Sequence, residues 1–239
     1  AEPIRTLTRY PCFDFAIIGE GEMAIKEFLG QIENESALKT AQSLVWKERD
    51  EIRVNPRMPF LKDLDQLPPP AFDLVPNLFN HYRLSVFGTK KFRSAGLVTS
   101  RGCPGQCTYC DLGVAGRGFR FHSAEYVLRL MKDLYEKYQV SDFLFYDDLF
   151  VGNKARLIAI CKTIIEERLP FTWSCCARVD FVHKDTLALM KRAGCWMIEY
   201  GIESGCQRII DSMKKHITKE KVYETIKATK DAGIITKGN

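Results

Sequence analysis

The most informative stretch of the chain is GLVTSRGCPGQCTYC, residues 96–110. It opens with a short apolar segment that suits a buried strand, and three cysteines follow directly. Gly102, Pro104 and Gly105 let the backbone fold tightly around an inorganic centre. The pattern predicts a metal-binding loop at the carboxyl end of a strand, which is where parallel β/α folds place their active sites.

The three cysteines are Cys103, Cys107 and Cys110. Thiolates are soft ligands that favour iron–sulfur clusters, zinc or copper. A four-iron cluster held by three cysteines leaves one iron open for chemistry. Zinc is the alternative, but it wants a fourth ligand, and the nearest histidine, His122, lies well beyond the motif. Three buried structural cysteines fit the polar, glycine-rich setting poorly, so the sequence favours a cluster.

The rest of the chain alternates between strand and helix patterns. The predicted strands are 96–100, 142–146, 171–176, 195–200 and 234–237, and the predicted helices are 123–138, 153–169, 184–193, 206–215 and 218–232. Ser123 and Asn153 are suitable helix N-caps, and Gly194 and Gly233 are suitable stops. This alternation predicts right-handed β-α-β units and a parallel sheet. A closed eight-stranded barrel needs about 250 residues, so we expect a partial or open barrel.

The region before this pattern is different. Residues 15–19 (FAIIG) read as a short strand, 19–22 (GEGE) as a turn and 23–32 as a helix. Residues 43–54 predict a hairpin around a charged turn, and the Pro-rich residues 61–76 predict an extended linker.

Composition narrows the class of protein. The chain has 239 residues, with 46% hydrophobic and 27% charged residues and a net charge of +5. Its Lys and Arg residues are dispersed, which favours a solvated surface over nucleic-acid binding. No apolar run is long enough to span a bilayer, and no secretory signal is visible. Nine cysteines, an odd number, argue against a disulfide framework and favour a reducing cytoplasm.

The spacing C-x-x-x-C-x-x-C, with Tyr109 before the last cysteine, resembles the signature of the radical S-adenosylmethionine superfamily. The resemblance covers the chain from about Gly96 to its end. It implies a 4Fe–4S cluster on the three cysteines, with S-adenosylmethionine chelated at the open iron by its amino and carboxylate groups. One electron then cleaves the cofactor to a 5′-deoxyadenosyl radical. An electron donor such as flavodoxin or ferredoxin and a small-molecule substrate are implied too.

Further cofactor-binding residues are expected at the later strand ends. Asp147 and Asp148 follow the second strand, where the family usually has a Gly-Gly-Glu-like segment for the methionyl amino group. This chain departs from that pattern, so one of the two aspartates would take the role, with Asp148 alternatively capping the next helix. Arg178 could bind a carboxylate, or it could pair with Asp180.

The fourth strand continues into GIES, which resembles a family motif in which an acidic or amide residue contacts S-adenosylmethionine. Glu203 matches that position, and Lys215 matches a basic residue for the methionyl carboxylate. A solvated cation at a helix C-terminus is the favoured alternative for Lys215. No residue is assigned a catalytic role. Cysteines outside the motif read as core residues (Cys161, Cys195, Cys206) or as a strand pair of which one faces the interior (Cys175, Cys176).

The segments AEPIRT, FDFAIIGEGE and LDQLPPP, in that order, resemble the end of a cobalamin-binding domain and its junction to a radical barrel. The parts that would hold the corrin are missing, so cobalamin is expected only in a longer protein. A small appendage without a ligand is the alternative. The resemblance implies a Rossmann-like remnant over 1–40, a hairpin and linker over 41–92, and a radical core over 93–239 with about four to five of six β/α units.

The sequence thus predicts a fragment of a radical S-adenosylmethionine enzyme. Cobalamin-dependent methyl transfer, or a radical cyclisation or rearrangement, is the first hypothesis. A cobalamin-independent enzyme, either methylthiotransferase-like or coproporphyrinogen-oxidase-like, is the second. A zinc-stabilised binding module without catalysis is the third.

Overall fold

The computed structural model describes residues 2–30, 32–49, 51–111 and 113–239. The chain forms two compact units. The first comprises Ala1–Lys62 with Asp111–Arg117, and the second comprises Asp63–Cys110 with Gly118–Asn239. Among the described residues, no helix is both long and apolar enough to cross a bilayer.

The first unit contains a small antiparallel sheet. Its elements are α1 (Pro3–Arg9), β1 (Phe15–Ile17), α2 (Glu22–Leu29), α3 (Glu35–Leu38), β2 (Leu44–Glu48) and β3 (Glu51–Val54). The strand order is β1-β2-β3, so the predicted hairpin is confirmed, although Asp50 in its turn lies outside the described residues. The predicted helix 23–32 ends early, at Leu29, and Gln31 also lies outside the described residues. A small core with Phe28, Leu44 and Trp46 joins the sheet to α2.

The second unit contains a parallel sheet with helices between its strands. Its elements are α4 (Leu78–His81), β4 (Ser94–Leu97), β5 (Ser100–Arg101), β6 (Arg120–Phe121), α5 (Ala124–Tyr138), β7 (Asp142–Phe145), α6 (Lys154–Glu166), β8 (Thr172–Ala177), α7 (Lys184–Arg192), β9 (Cys195–Tyr200), α8 (Gln207–Ser212), α9 (Lys219–Asp231) and β10 (Ile235–Gly238). Five strands pair in the order β10-β9-β8-β7-β4, and every pairing is parallel. The α/β fold with a partial parallel barrel is confirmed.

Local signals explain the helix bounds. The side chain of Ser123 accepts a hydrogen bond from the Tyr126 amide at 3.0 Å, and Asn153 caps α6 in the same way through the Arg156 amide at 2.9 Å. Gly194 follows α7 with a φ of +90°, which a side chain would disfavour. A Cβ at Gly194 would also lie 2.1 Å from the Phe171 carbonyl oxygen, so only glycine fits this turn.

The main core lies between the parallel sheet and its helices. One face of the sheet contributes buried side chains to this core. They include Phe143 and Phe145 on β7 and Trp173 and Cys175 on β8. Alternate residues point to the opposite face, which explains why Cys176 is only half-buried. Burial of aromatic and aliphatic area on the helix face is the main force holding the strand ends in register.

Further segments differ from expectation, and among them α6 ends at Glu166 rather than at residue 169. The first strand ends at Leu97 rather than Ser100, because Ser100–Arg101 pairs antiparallel with Arg120–Phe121. The Pro-rich segment is not simply extended, since Leu64–Gln66 and Phe72–Leu74 form 3₁₀ turns and Leu64 is fully buried. Helix α8 stops at Ser212 rather than Lys215, because Lys214 has left-handed backbone geometry with a φ of +53°.

Candidate active site

The cysteine loop, defined here as Gly102–Cys110, begins where β4 and β5 deliver the chain to the carboxyl end of the sheet. Gly102 has a φ of +79°, which lets the backbone turn sharply. The Cys110 amide donates to the Cys107 carbonyl at 3.2 Å, and the Gly105 amide donates to Cys103 Sγ at 3.4 Å. All three loop cysteines are reduced; Cys103 and Cys107 are half-buried and Cys110 is exposed.

The candidate donors are three thiol side chains on one loop, and thiolates are soft ligands suited to iron–sulfur clusters. In the described part of the chain, no three His, Cys, Asp or Glu residues are grouped so as to hold one metal ion. His122, the fourth ligand of the zinc alternative, has its Nδ1 at 3.1 Å from Asp65 Oδ1 and its ring stacked on Tyr126. Three reduced thiols on one tight loop therefore match a three-cysteine cluster.

A buried lysine lies beside the loop. Lys215 Nζ is 2.9 Å from Glu203 Oε1 and 3.0 Å from the Tyr109 hydroxyl, and we name these three residues the Lys215 triad. Lys215 is only 4% exposed, so the expectation of a solvated cation is wrong. Its side chain instead joins the loop to the residue that follows β9. Three candidates far apart in sequence thus meet in one place.

The triad is electrostatically matched. Burial acts to raise the pKa of Glu203, but the hydrogen bond and charge of Lys215 outweigh it and lower that pKa. Burial, together with Glu203 and Cys107, raises the pKa of the Tyr109 hydroxyl well above its ordinary value. At neutral pH Glu203 is therefore a carboxylate and Tyr109 an un-ionised phenol, and together with the Lys215 side chain they present both donors and acceptors to a polar ligand.

Arg178 connects β8 to the same loop. Its Nε and Nη2 atoms contact the two carboxylate oxygens of Asp180 at 3.1 and 2.9 Å, which realises the ion pair considered from the sequence. Nη2 also donates to the Lys215 carbonyl at 2.7 Å, and Nη1 lies 3.5 Å from Cys107 Sγ. Burial lowers the pKa of Arg178, but Asp180 and, to a smaller extent, Cys107 and Cys103 raise it overall. The edge of the guanidinium that could bind a carboxylate in bidentate fashion is thus occupied by Asp180.

Backbone contacts add to this docking. The Thr108 amide donates to the Met213 carbonyl at 2.9 Å, which ties the cysteine loop to the turn after α8. That turn contains Lys214 and His216 in left-handed geometry, with φ of +53° and +56°, and Glu203 has a φ of +68°. Left-handed backbone geometry costs conformational energy in non-glycine residues. It is found most often at functional sites, where the surrounding structure fixes the backbone.

The two aspartates after β7 have different surroundings. Asp147 is 1% exposed and accepts hydrogen bonds from the Thr99 amide and from the Thr99 and Ser100 hydroxyls. Burial raises its pKa despite these bonds. Asp148 is exposed, and it does not cap α6, because Asn153 does. Of the pair, Asp148 is the carboxylate accessible to a ligand. Binding of the methionyl amino group by either one stays a prediction.

The start of the cysteine loop rests on residues that the sequence did not single out. Arg156 is buried and donates from Nε to the His122 carbonyl at 2.8 Å and from Nη2 to the Thr99 carbonyl at 3.2 Å. Arg156 and Asp147 thus hold Thr99 from two sides, and Asp147 also accepts from the Ser100 hydroxyl. An arginine in an amphipathic helix resembles an ordinary surface residue, so its position in the sequence carries no signal.

The prediction that Cys206 is a core residue is wrong, because Cys206 is exposed.

Comparisons with known proteins agree with this geometry. Residues 97–239 match the family model described as the radical SAM superfamily, and the chain belongs to that superfamily. It is 31% identical to an uncharacterized methyltransferase of Pyrococcus horikoshii, covering 99% of this chain and 50% of that protein. It is 24% identical to the anaerobic magnesium-protoporphyrin IX monomethyl ester cyclase of Cereibacter sphaeroides, covering 97% of this chain and 38% of the cyclase.

Among solved structures, the cobalamin-dependent S-adenosylmethionine radical enzyme OxsB with aqua-cobalamin bound superposes with a TM-score of 0.83. The sequence identity is 22%, and the match covers 99% of this chain and 34% of OxsB. The chain therefore spans about half the length, or less, of the relatives it matches. Members of the superfamily use a 4Fe–4S cluster and S-adenosylmethionine, in agreement with the prediction made from the cysteine spacing.

Proposed function

We propose that this chain forms the cluster-binding and S-adenosylmethionine-binding part of a cobalamin-dependent radical enzyme. The reaction would be methyl transfer to an unactivated carbon, or a radical cyclisation or rearrangement. The observation that carries the proposal is the docking of three reduced cysteines, on one loop at the carboxyl end of a parallel sheet, against the Lys215 triad. The triad adds a buried ammonium and a carboxylate beside the loop, and charged groups of this kind are common at binding sites.

The residue roles follow from position. Cys103, Cys107 and Cys110 would hold the cluster, which supplies the electron for reductive cleavage of S-adenosylmethionine to a 5′-deoxyadenosyl radical. Lys215 would bind the methionyl carboxylate, Glu203 would orient the ammonium, and Tyr109 would join both to the loop; the contacts among the three side chains support these roles. Asp148 is the candidate for the amino group because its carboxylate is exposed. Asp147 acts indirectly, by fixing Thr99 and Ser100 ahead of the first cysteine.

Cobalamin is proposed for the full-length protein only. The support is the match with cobalamin-dependent OxsB over 99% of this chain, which includes the small unit before the parallel sheet. The methyltransferase and the cyclase among the relatives favour methyl transfer and cyclisation as the reaction classes. A cobalamin-independent enzyme is the second candidate, favoured by 27% identity to a putative methylthiotransferase of Methanocaldococcus jannaschii.

The partners proposed for the full-length protein are a small-molecule substrate and a low-potential electron donor such as flavodoxin or ferredoxin. The reducing cytoplasm is the proposed location, because reduced loop cysteines and an oxygen-sensitive cluster require a reducing compartment.

The proposal is tested by anaerobic reconstitution of the full-length protein with iron and sulfide. We expect a broad absorbance near 400 nm that bleaches with dithionite, and reductive cleavage of S-adenosylmethionine to 5′-deoxyadenosine. Cys107→Ala should abolish cleavage and lower the iron content, because it removes one of three ligands. Cys206→Ser is the matched control, since Cys206 is exposed and lies outside the loop. Cleavage by Cys107→Ala at the wild-type rate, or a colourless wild type holding one zinc, would contradict the proposal.

A cobalamin assay on the same preparation separates the two enzyme classes. A bound corrinoid near one per chain, released by denaturation, supports the cobalamin-dependent class. Iron-replete protein that cleaves S-adenosylmethionine yet takes up no cobalamin would favour the second candidate.

A further inference from the structure

Arg178 has an environment that a carboxylate-binding role does not explain. Its Nε and Nη2 atoms already bind Asp180 in bidentate fashion, and Nη2 also donates to the Lys215 carbonyl. The remaining nitrogen, Nη1, lies 3.5 Å from Cys107 Sγ, and the side chain is only 12% exposed. The guanidinium is therefore held in place by two anchors and directed at a sulfur atom.

A second observation concerns Gly105, which lies between Cys103 and Cys107 in the loop. A Cβ built on Gly105 would lie 3.1 Å from Arg178 Nη1 and 3.3 Å from Cys103 Sγ. The guanidinium and the Cys103 sulfur thus both approach Gly105 on the side that a side chain would occupy. The absence of a side chain at Gly105 gives the arginine room to reach the loop between two of its three cysteines.

We propose that Arg178 is a positioning residue that contacts Cys107 Sγ in the cysteine loop and raises the reduction potential of the cluster that the loop would hold. The inference rests on the proposed function and adds a role that the cysteines alone do not provide. Reduction adds one negative charge to the cluster, so a fixed cation beside two thiolates stabilises the reduced form more than the oxidised form. Hydrogen bonds to the sulfur atoms act in the same direction.

The anchoring by Asp180 is part of the role. A mobile lysine-like cation would spend much of its time in solvent, whereas the planar guanidinium is fixed by Asp180 and by a main-chain carbonyl. The Lys215 carbonyl belongs to the residue whose ammonium contacts Tyr109 of the loop. The same segment thus holds the loop from two sides, through Arg178 and through the triad.

The test is a redox titration of the reconstituted full-length protein, followed by electron paramagnetic resonance and performed without S-adenosylmethionine. At a fixed poise, Arg178→Gln should lower the ratio of reduced to oxidised cluster about tenfold, which is a midpoint about 59 mV more negative for a one-electron couple. Arg178→Lys, which keeps the charge, should give a smaller decrease. Arg208→Gln is the control. Arg208 is exposed on α8, so this substitution removes the same charge from the surface.

Arg178→Gln with full iron content and an unchanged midpoint would overturn the inference. If that variant also bound S-adenosylmethionine more weakly, the arginine would be assigned to the cofactor carboxylate instead. If Arg178→Gln takes up no iron while Arg178→Lys takes up the wild-type amount, the midpoint of Arg178→Lys decides: a value more negative than wild type supports the inference, and an unchanged value overturns it. If neither variant takes up iron, the guanidinium serves only to hold the loop and the inference fails. A wild type without iron would instead refute the proposed function.

Discussion

Cysteines in the second unit occupy two contrasting regions. Cys103, Cys107 and Cys110 lie on a loop at the sheet edge, among charged neighbours and partly open to solvent. The cysteines of the main core are each at most 1% exposed and lie among aromatic and aliphatic side chains; they are Cys161 on α6, Cys175 on β8 and Cys195 on β9. The same residue type is therefore a ligand in one place and a small apolar filler in the other. The neighbours and the exposure of a cysteine decide whether it serves as a ligand or as a core residue.

The largest expected contrast between these two regions is in thiol alkylation of the apo protein. Burial raises the pKa of Cys161 to about 12, and its thiol is inaccessible, so modification requires unfolding. Cys110 is exposed. We expect Cys110 to react with iodoacetamide at least about 1,000-fold faster than Cys161, since unfolding costs 5 kcal/mol or more in typical proteins.

Peptide mass spectrometry of time points near pH 8 measures both rates in one sample. In urea the two rates should converge, because the folded environment is then lost. Equal rates in the native protein would show that Cys161 is not protected and would remove the contrast.

Serine substitutions test the same contrast through stability. Cys175→Ser places a hydroxyl among apolar side chains and should lower the free energy of unfolding by about 1–3 kcal/mol. Cys107→Ser, on the half-buried loop, should change it by less than about 0.5 kcal/mol in the apo protein. Urea unfolding of both variants beside wild type gives the two values. A larger loss for Cys107→Ser than for Cys175→Ser would mean that the loop, rather than the core, carries the stability.

The sequence predicted the regular part of this molecule well because its signals are local. Caps such as Ser123 and Asn153, stops such as Gly194, and apolar strand runs each act within a few residues. The caps and the stop appear where expected, and the strand bounds differ from the predicted ones by a few residues at most. The pattern of three cysteines likewise sits within one loop. The partial barrel follows from such signals by simple alternation.

The contacts that turn the loop into a site could not be predicted in this way. Lys215 reads from the sequence as a helix-terminal cation, yet the left-handed Lys214 ends α8 early and sends Lys215 inward. Arg156 and Thr99 are 57 residues apart, and nothing local indicates that they meet. Long-range polar contacts depend on the packed arrangement of strands, which one sequence does not reveal.

Removing the ammonium of the Lys215 triad sharpens the contrast between buried and exposed charge. Lys215→Met leaves Glu203 without its cation, and we expect a loss of about 1–2 kcal/mol in the free energy of unfolding. The expected loss is below the 3–5 kcal/mol found for fully buried pairs, because the Glu203 side chain is 27% exposed. Lys227→Met is the matched control: its partner Asp231 and Lys227 are both exposed, so the change should stay within about 0.5 kcal/mol.

Both variants are measured by urea unfolding of the apo protein. Lys215→Arg, which keeps the charge, should recover part of the loss. A loss in Lys227→Met equal to that in Lys215→Met would mean that burial adds nothing to the Lys215 pair.

The smallest expected effect is the pH dependence of the same pair. Because Lys215 lowers the pKa of Glu203 in the folded protein below the ordinary value of 4.5, the unfolded chain takes up its proton first as pH falls. The stabilisation is therefore fully present above about pH 4.5 and is lost as pH falls through the lower, folded-state pKa. We expect it to be under about 1 kcal/mol, because Glu203 is partly solvated. In Glu203→Gln the carboxylate is absent at every pH, so wild type should exceed this variant in stability near pH 7 and approach it below about pH 4. Urea unfolding of the two proteins across this range measures the difference. A difference that grows on acidification would have the wrong sign for a carboxylate whose pKa is lowered, and Lys215 would then not be its partner in solution.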